Sequence, residues 1–228
     1  MKYPILFSLS LLTSSLFAQS RDDYGLYVDS VQGYSTLFRG ELTLVYGVMA
    51  PNDGSTYFAY SEKFEQGNVL FRGKWYRGVQ LNLNAHRDEL NIISPVQGII
   101  LSLNKQAVDS FSFGNHAFVH YRSGEFSLLG NGYYQVLFEG NVKLYKKIRR
   151  QYYGRIEYAN FQKGYTLFED FYLWKEKRWH KIGTKGDLIK LYADQKRVIN
   201  NLLRSKGLRF KKDREVSLIE ILYLLDNQ

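Results

Sequence analysis

Val79, Gln80, Leu81, Asn82, Leu83 and Asn84 alternate apolar and polar side chains without a break. An extended chain points successive side chains to opposite faces, so this stretch offers Val79, Leu81 and Leu83 to a core and three amides to water. In a helix the same residues would spread both sets around the circumference. The reading is an antiparallel strand with one solvated face. It recurs at Ile99, Leu101 and Leu103, at Tyr134, Val136 and Phe138, and at Val142 and Leu144. From Gly33 to Ile182 glycine breaks this period-two signal at roughly ten-residue intervals, and Pro51 and Pro95 fall between the apolar runs. The expected fold is mainly β: an antiparallel meander forming a curved sheet, a sandwich or a half-open barrel, with a small C-terminal helical tail.

Leu37-Phe38-Arg39-Gly40 recurs as Leu70-Phe71-Arg72-Gly73 and Leu137-Phe138-Glu139-Gly140. The residues around the three copies share little beyond alternation, so a structural repeat is the weaker reading. An apolar strand ending in a charged residue and glycine is ordinary hairpin chemistry, because glycine takes the positive φ that tight turns require. Hairpins are expected over residues 68–83 about Gly73, 133–148 about Gly140, and 170–182 about residues 175–177.

The tail changes period. Thr184 suits a helix N-cap, with Asp187 at the third position to meet the positive end of the dipole. Leu188, Ile189 and Leu191, then Val198, Ile199, Leu202 and Leu203, follow at helical spacing. Gly207 reads as a left-handed stop with Leu208 beyond it. Ser217 and Glu220 fit a capping box, with Val216 and Ile221 as its hydrophobic staple, ahead of an apolar final helix over 218–225. That helix must be buried against a neighbour.

Lys2, a run of apolar and small residues from 5 to 17, and Ala18-Gln19 have the layout of a cleaved export signal. The run is shorter than the about 20 apolar residues a membrane-spanning helix needs. The expected organisation is a signal peptide over 1–18, an antiparallel β domain over 19–183 and a basic helical tail over 184–228. Cysteine is absent, which removes disulfides, thiolate zinc sites, cysteine nucleophiles and the lipid-bearing cysteine of a lipoprotein. The 19 tyrosines and 15 phenylalanines can supply a core instead. No asparagine begins an Asn-x-Ser/Thr acceptor, in keeping with a bacterial source. The expected location is the periplasm or cell envelope.

The net charge of +9 is concentrated. Residues 173–214 hold fourteen Lys and Arg against four Asp and Glu, leaving the rest near neutral. Behind an export signal such a surplus points away from nucleic acid. It points to a lipid, a glycan or an acidic protein of the envelope, including peripheral contact with an anionic membrane. A solvated helix face is the plainer reading.

Catalytic chemistry finds little support. His116 and His120 on a strand share a face but sit about 13 Å apart, too far to share one metal ion. His86 reads as turn material, and His180 belongs to a basic hairpin. No nucleophile elbow, phosphate loop or His-Glu-x-x-His occurs, and no motif implies a cofactor. A glycosidase pair could come from Glu125, Glu139, Glu157, Glu169 or Asp170, since such carboxylates lie far apart in sequence. Trp75, Tyr76, Tyr133, Tyr134, Trp174 and Trp179 could stack on sugars, though core packing is the stronger reading for each. An outer-membrane barrel fits poorly with a chain that ends in Leu224-Leu225-Asp226-Asn227-Gln228 after a helix.

Two stretches carry a family resemblance. Residues 69–90, from Val69 through Trp75-Tyr76-Arg77-Gly78 and His86-Arg87-Asp88-Glu89 to Leu90, are one. The other runs from Tyr172 through Trp179-His180-Lys181-Ile182-Gly183-Thr184 to Leu208-Arg209-Phe210-Lys211-Lys212. Both resemble exported β-rich proteins of Bacteroidota, whose pattern has Tyr-Asp where this chain has Leu83-Asn84. The Ala18-Gln19 junction is also similar to theirs. The resemblance implies export and a β-rich fold, and carries over no site residue. The functional expectation is a non-enzymatic envelope protein that binds an apolar, glycan or protein partner. The alternatives are an envelope glycan- or lipid-acting hydrolase and a peripheral membrane protein anchored by its basic tail.

Overall fold

A computed structural model describes residues 37–38, 41–42, 54–59, 62–95, 97–122, 128–157 and 160–226. The chain divides into Met1–Arg39 and Gly40–Gln228. The expected signal peptide lies outside the described residues, as do Pro51, Glu125 and the Arg39-Gly40 end of the first tetrapeptide.

The second unit is one antiparallel sheet. Its strands are β1 (Glu41–Leu42), β2 (Glu65–Phe71), β3 (Lys74–Asn84), β4 (Glu89–Ile93), β5 (Ile100–Ser102), β6 (Val108–Phe113), β7 (His116–Tyr121), β8 (Gly132–Glu139), β9 (Lys143–Glu157), β10 (Asn160–Lys175) and β11 (Arg178–Lys181). They lie in the order β1-β5-β4-β3-β2-β6-β7-β8-β9-β10-β11. Two meanders, β2 to β5 and β6 to β11, therefore grow in opposite directions from the pairing of β2 with β6. The three expected hairpins are all present, as β2–β3, β8–β9 and β10–β11.

The connection from β5 to β6 requires a strongly coiled sheet. Ser102 lies at the level of Asn82, through Asn91, whereas Val108 lies at the level of Lys74, through Phe71. On a flat sheet, eight residues of rise and four strand spacings would separate these ends by about 30 Å. Six peptide steps reach about 21 Å at most. The sheet curls to bring them together, and its concave face buries Val69, Leu81, Ile92, Phe111, Phe118 and Tyr133.

Val79, Leu81 and Leu83 are buried as the alternation requires. Asn82 and Asn84, expected in water, are buried too, at 3% and 6% exposure. The segment before β2 covers them. Asn82 Nδ2 donates to the Lys63 carbonyl at 3.0 Å, and Tyr57 bridges to Asn84. The Asn84 carboxamide oxygen accepts from the His86 and Arg87 amides at 3.1 and 3.0 Å and shapes the turn into β4.

Three helices follow the sheet: α1 (Lys185–Leu191), α2 (Lys196–Ser205) and α3 (Arg214–Asp226). Thr184 caps α1 in a full capping box with Asp187. Gly207, at φ +64, ends α2 in a Schellman motif: the Leu208 amide donates to Leu203 O and the Gly207 amide to Arg204 O. The start of α3 differs from expectation. The helix begins three residues before Ser217, whose amide donates to Asp213 O inside the first turn, and Val216 is exposed rather than stapled. Glu215 explains the earlier start, because it joins Lys146 of β9 at 2.5 Å and docks the first turn on the sheet. Leu218, Ile221 and Leu222 of α3 then pack with Leu144, Phe171 and Leu173.

The two-residue turns at Arg72-Gly73 and Glu176-Lys177 have positive φ at both positions, the hand that matches strand twist. Neither Glu nor Lys favours that region, which costs a side-chain-bearing residue about 1–2 kcal/mol. The ion pair of Lys175 with Glu176 is exposed and offsets little of this. Replacing the pair, Glu176→Asn with Lys177→Gly, should stabilise the fold by about 1 kcal/mol, a rise of about 2–4 °C in Tm by thermal denaturation.

Candidate functional site

Strand β9 contains Lys146-Lys147-Ile148-Arg149-Arg150, a run that ordinarily marks a solvated surface. Three of its four cations are buried, and all four serve as structural joints. Lys146 bridges Glu169 at 3.4 Å and Glu215 at 2.5 Å. Lys147 donates to Asp88 at 2.6 Å and to the Tyr133 carbonyl at 3.0 Å, and Lys105 meets the other Asp88 oxygen at 2.7 Å. Arg149 and Lys181 share Asp170 at 2.7 and 2.8 Å. Arg150 donates to the carbonyls of Tyr57 and Phe58, each at 3.0 Å.

Electrostatics follow from these contacts. Burial pushes the Lys147 ammonium below its ordinary value, and attraction to Asp88 recovers only part of the loss. Burial acts to raise Asp170, but the hydrogen bonds from Lys181 and Arg149 outweigh it and hold the carboxyl low. Lys181 is raised in turn, chiefly by its bond to Asp170. Burial, then the Lys146 charge, lowers His116. A neutral imidazole is what its Nδ1 needs to accept from Gln135 Nε2 at 2.9 Å.

The sequence candidates are dispersed among such contacts. His120 sits between Val108 O at 2.9 Å and Asn131 Oδ1 at 2.8 Å, with no partner in common with His116. His86 Nδ1 lies 2.9 Å from Arg150 O, and His180 is half-buried in β11. Glu139 accepts from the Tyr145 hydroxyl at 2.8 Å. Glu169 and Asp170 are successive residues on opposite faces of β10, each held by cations. The side chain of Glu157 is outside the described residues. Tyr76, Tyr133, Tyr134 and Trp179 are buried, and Trp174 packs on Trp179 with ring centroids 5.3 Å apart. Trp75 alone of the six is largely exposed, at 57%.

The arrangement best suited to a ligand lies in the tail. Lys185, Asn200, Leu203, Arg204, Gly207, Leu208, Arg209 and Phe210 line a cleft of about 420 Å³. Leu203 and Phe210 are buried and give it an apolar floor. Lys185 Nζ donates to Asn200 Oδ1 at 3.1 Å. Arg204 and Arg209 are exposed, and neither guanidinium has an ion-pair partner among the described residues. The Schellman turn at Gly207 reverses the chain so that Arg209 shares the cleft with Arg204 and Lys185. Three cations line it and no carboxylate does. A second cleft, of about 530 Å³, has Lys211, Lys212 and Arg214 balanced by Glu169, Asp213 and Glu215. The first can hold an anion; the second is locally neutral. Charge count and the Gly207 stop were both legible in the sequence, but the way the stop gathers particular cations was not.

The close approach of Asp88 to Lys147 depends on Gly132. A Cβ there would fall inside the contact radii of Asp88 Oδ2 and Lys147 Nζ, and the backbone φ of +157 is also unfavourable to a side chain. Gly132→Ala should cost about 1–3 kcal/mol in urea denaturation, chiefly for the backbone conformation, since the two side-chain ends it meets can shift aside. Alkaline stability has a second signature. Burial raises Tyr133, Tyr134 and Tyr145 far above the ordinary phenol value and pushes Tyr192 up to about 12. The folded state keeps these protons after the unfolded chain releases them near pH 10, so stability falls as pH rises above 10. Absorbance at tyrosinate wavelengths should therefore show a cooperative step coincident with loss of near-UV circular dichroism.

Comparison of this chain with protein-family models, with curated proteins and with solved structures finds no match in any of the three.

Proposed function

We propose that this chain is an exported, non-enzymatic binding protein of the bacterial cell envelope. Its partner is an envelope glycan, whose phosphate, sulfate or carboxylate groups enter the cleft between α1 and α2. The observation that carries this reading is the charge of that cleft: Lys185, Arg204 and Arg209 converge over an apolar floor with no carboxylate among the lining residues. Like charges held together repel, and an anion between them relieves that repulsion. Arginine presents a planar fork of donors that matches oxyanions in two-point contacts. The apolar floor suits the carbon face of a sugar ring. By contrast, the concave face of the sheet is filled by Phe111, Phe118, Tyr133 and their neighbours, which leaves an apolar-cargo reading without support.

The hydrolase alternative has less in its favour. Two carboxylates acting as acid and base must face one bond, whereas Glu139, Glu169 and Asp170 are each engaged by neighbouring side chains on separate faces or strands.

Retention on dextran sulfate with elution by salt, against neutral dextran as control, tests the reading. Arg204→Gln with Arg209→Gln should weaken binding at least tenfold, since hydrogen bonds to charged groups contribute about 1.5–3 kcal/mol each. Lys211→Gln with Lys212→Gln, at the balanced cleft, should change it less than about threefold. Equal retention of the two double variants would remove the cleft from consideration.

A further inference from the structure

The β2–β3 hairpin ends in Phe71-Arg72-Gly73-Lys74-Trp75-Tyr76-Arg77-Gly78. Phe71 and Tyr76 turn inward and are buried, while Arg72, Lys74, Trp75 and Arg77 are exposed. Trp75 pairs with Leu70, and both lie on the convex face of the sheet. A Cβ built on Gly73 or on Gly78 would meet no atom within 4 Å, so the space beside both is open, while the Arg72 amide donates to Ala107 O at 2.7 Å at the base of the turn. Arg72 carries φ +51 in a turn position that Asn or Gly fills without strain. Its guanidinium lies 5.5 Å from the centre of the Phe71 ring. Neither Arg72 nor Lys74 has a side-chain hydrogen bond or ion pair among the described residues. The fold thus retains a cation at positive φ, set over the Phe71 ring, and a largely exposed indole at the end of this hairpin.

We propose that this tip is a contact for an anionic lipid membrane, with Trp75 entering the interfacial region and Arg72 and Lys74 meeting lipid phosphates. Tryptophan is favoured at the headgroup level, where its ring is apolar and its N–H stays wet. Cations near an anionic surface add to the attraction one by one. Convexity decides between membrane and polymer. A hairpin tip can enter a deformable interface, whereas a glycan needs a flat or hollow platform, and among the described residues no aromatic ring packs on Trp75 to extend one. The site is independent of the tail cleft.

Co-sedimentation with vesicles of phosphatidylcholine, with and without 30% phosphatidylglycerol, tests it. Binding should require the anionic lipid and weaken as salt is raised. Trp75→Ala should reduce it about tenfold or more. Arg72→Asn should reduce it about fivefold while raising thermal stability, since it relaxes the turn as it removes the charge. Vesicles should shift tryptophan emission to the blue in the native protein and not in Trp75→Phe. All variants are compared with the native protein in the same N-terminal form, so any contribution of the N-terminus cancels in the comparison. Unchanged vesicle binding by Trp75→Ala, or equal binding to neutral vesicles, overturns the proposal. So does loss of dextran sulfate retention in Trp75→Ala with vesicle binding intact, which would make the tip a polymer site. The Arg204/Arg209 variant should bind vesicles normally, so the failure of either proposal is distinguishable from that of the other.

Discussion

Asp88 is held between two ammonium groups, and this pair of contacts ties together the two halves of the curled sheet. The residue sits in the turn from β3 to β4, at φ +57, and reaches Lys147 of β9 and Lys105 just ahead of β6. Beside it the Arg150 amide donates to Ala85 O at 3.0 Å. These contacts tie a turn from one meander to the strands of the other. Hydrophobic burial on the concave face favours a curled sheet in general, but it is non-directional and fixes no particular closure. The ion pairs choose the register at which the closure occurs. Burial is why Lys147 falls below its ordinary value although it is paired, and the charge of Lys105 lowers it a little further.

The β body was legible because alternation is a local property: a strand can announce itself within six residues, as residues 79–84 do. Turn and cap chemistry is local as well, so Thr184 with Asp187 and the stop at Gly207 could be read from neighbours. What sequence reading missed depends on partners far along the chain. Lys147 and Asp88 are 59 residues apart and Lys146 and Glu215 are 69 apart. Nothing near Lys146 in sequence says that it is buried. Ser217 misled because a capping box needs only Ser and Glu at the right spacing, whereas the actual start was set by Glu215 reaching another element. Asn82 and Asn84 looked solvated for the same reason, since the segment that covers them precedes β2.

The charge surplus reads differently once buried and exposed cations are separated. Of the β9 cations, Lys146, Lys147 and Arg150 are buried and engaged within the fold, and the exposed Arg149 is paired with Asp170 of the next strand. Those of the tail are mostly exposed, and Lys206 with Glu220 is a surface pair of small worth. Composition alone cannot make this division. It is the division that turns a basic protein into one with particular basic surfaces.

Those surfaces differ in shape, and shape sets what each can discriminate. The tail cleft is concave, so its cations converge and the geometry of an entering oxyanion matters as well as its charge. The hairpin tip is convex, so its cations diverge and respond to the summed potential of an extended surface rather than to one group. Salt should therefore act unequally on them. Diverging exposed charges lose their attraction once the screening length falls to the order of 10 Å. Converging donors over an apolar floor keep their hydrogen bonds and the contact beneath them. A single chain with both kinds of site could hold a diffuse anionic surface and a discrete anionic group at once, each weakened by a different change in conditions.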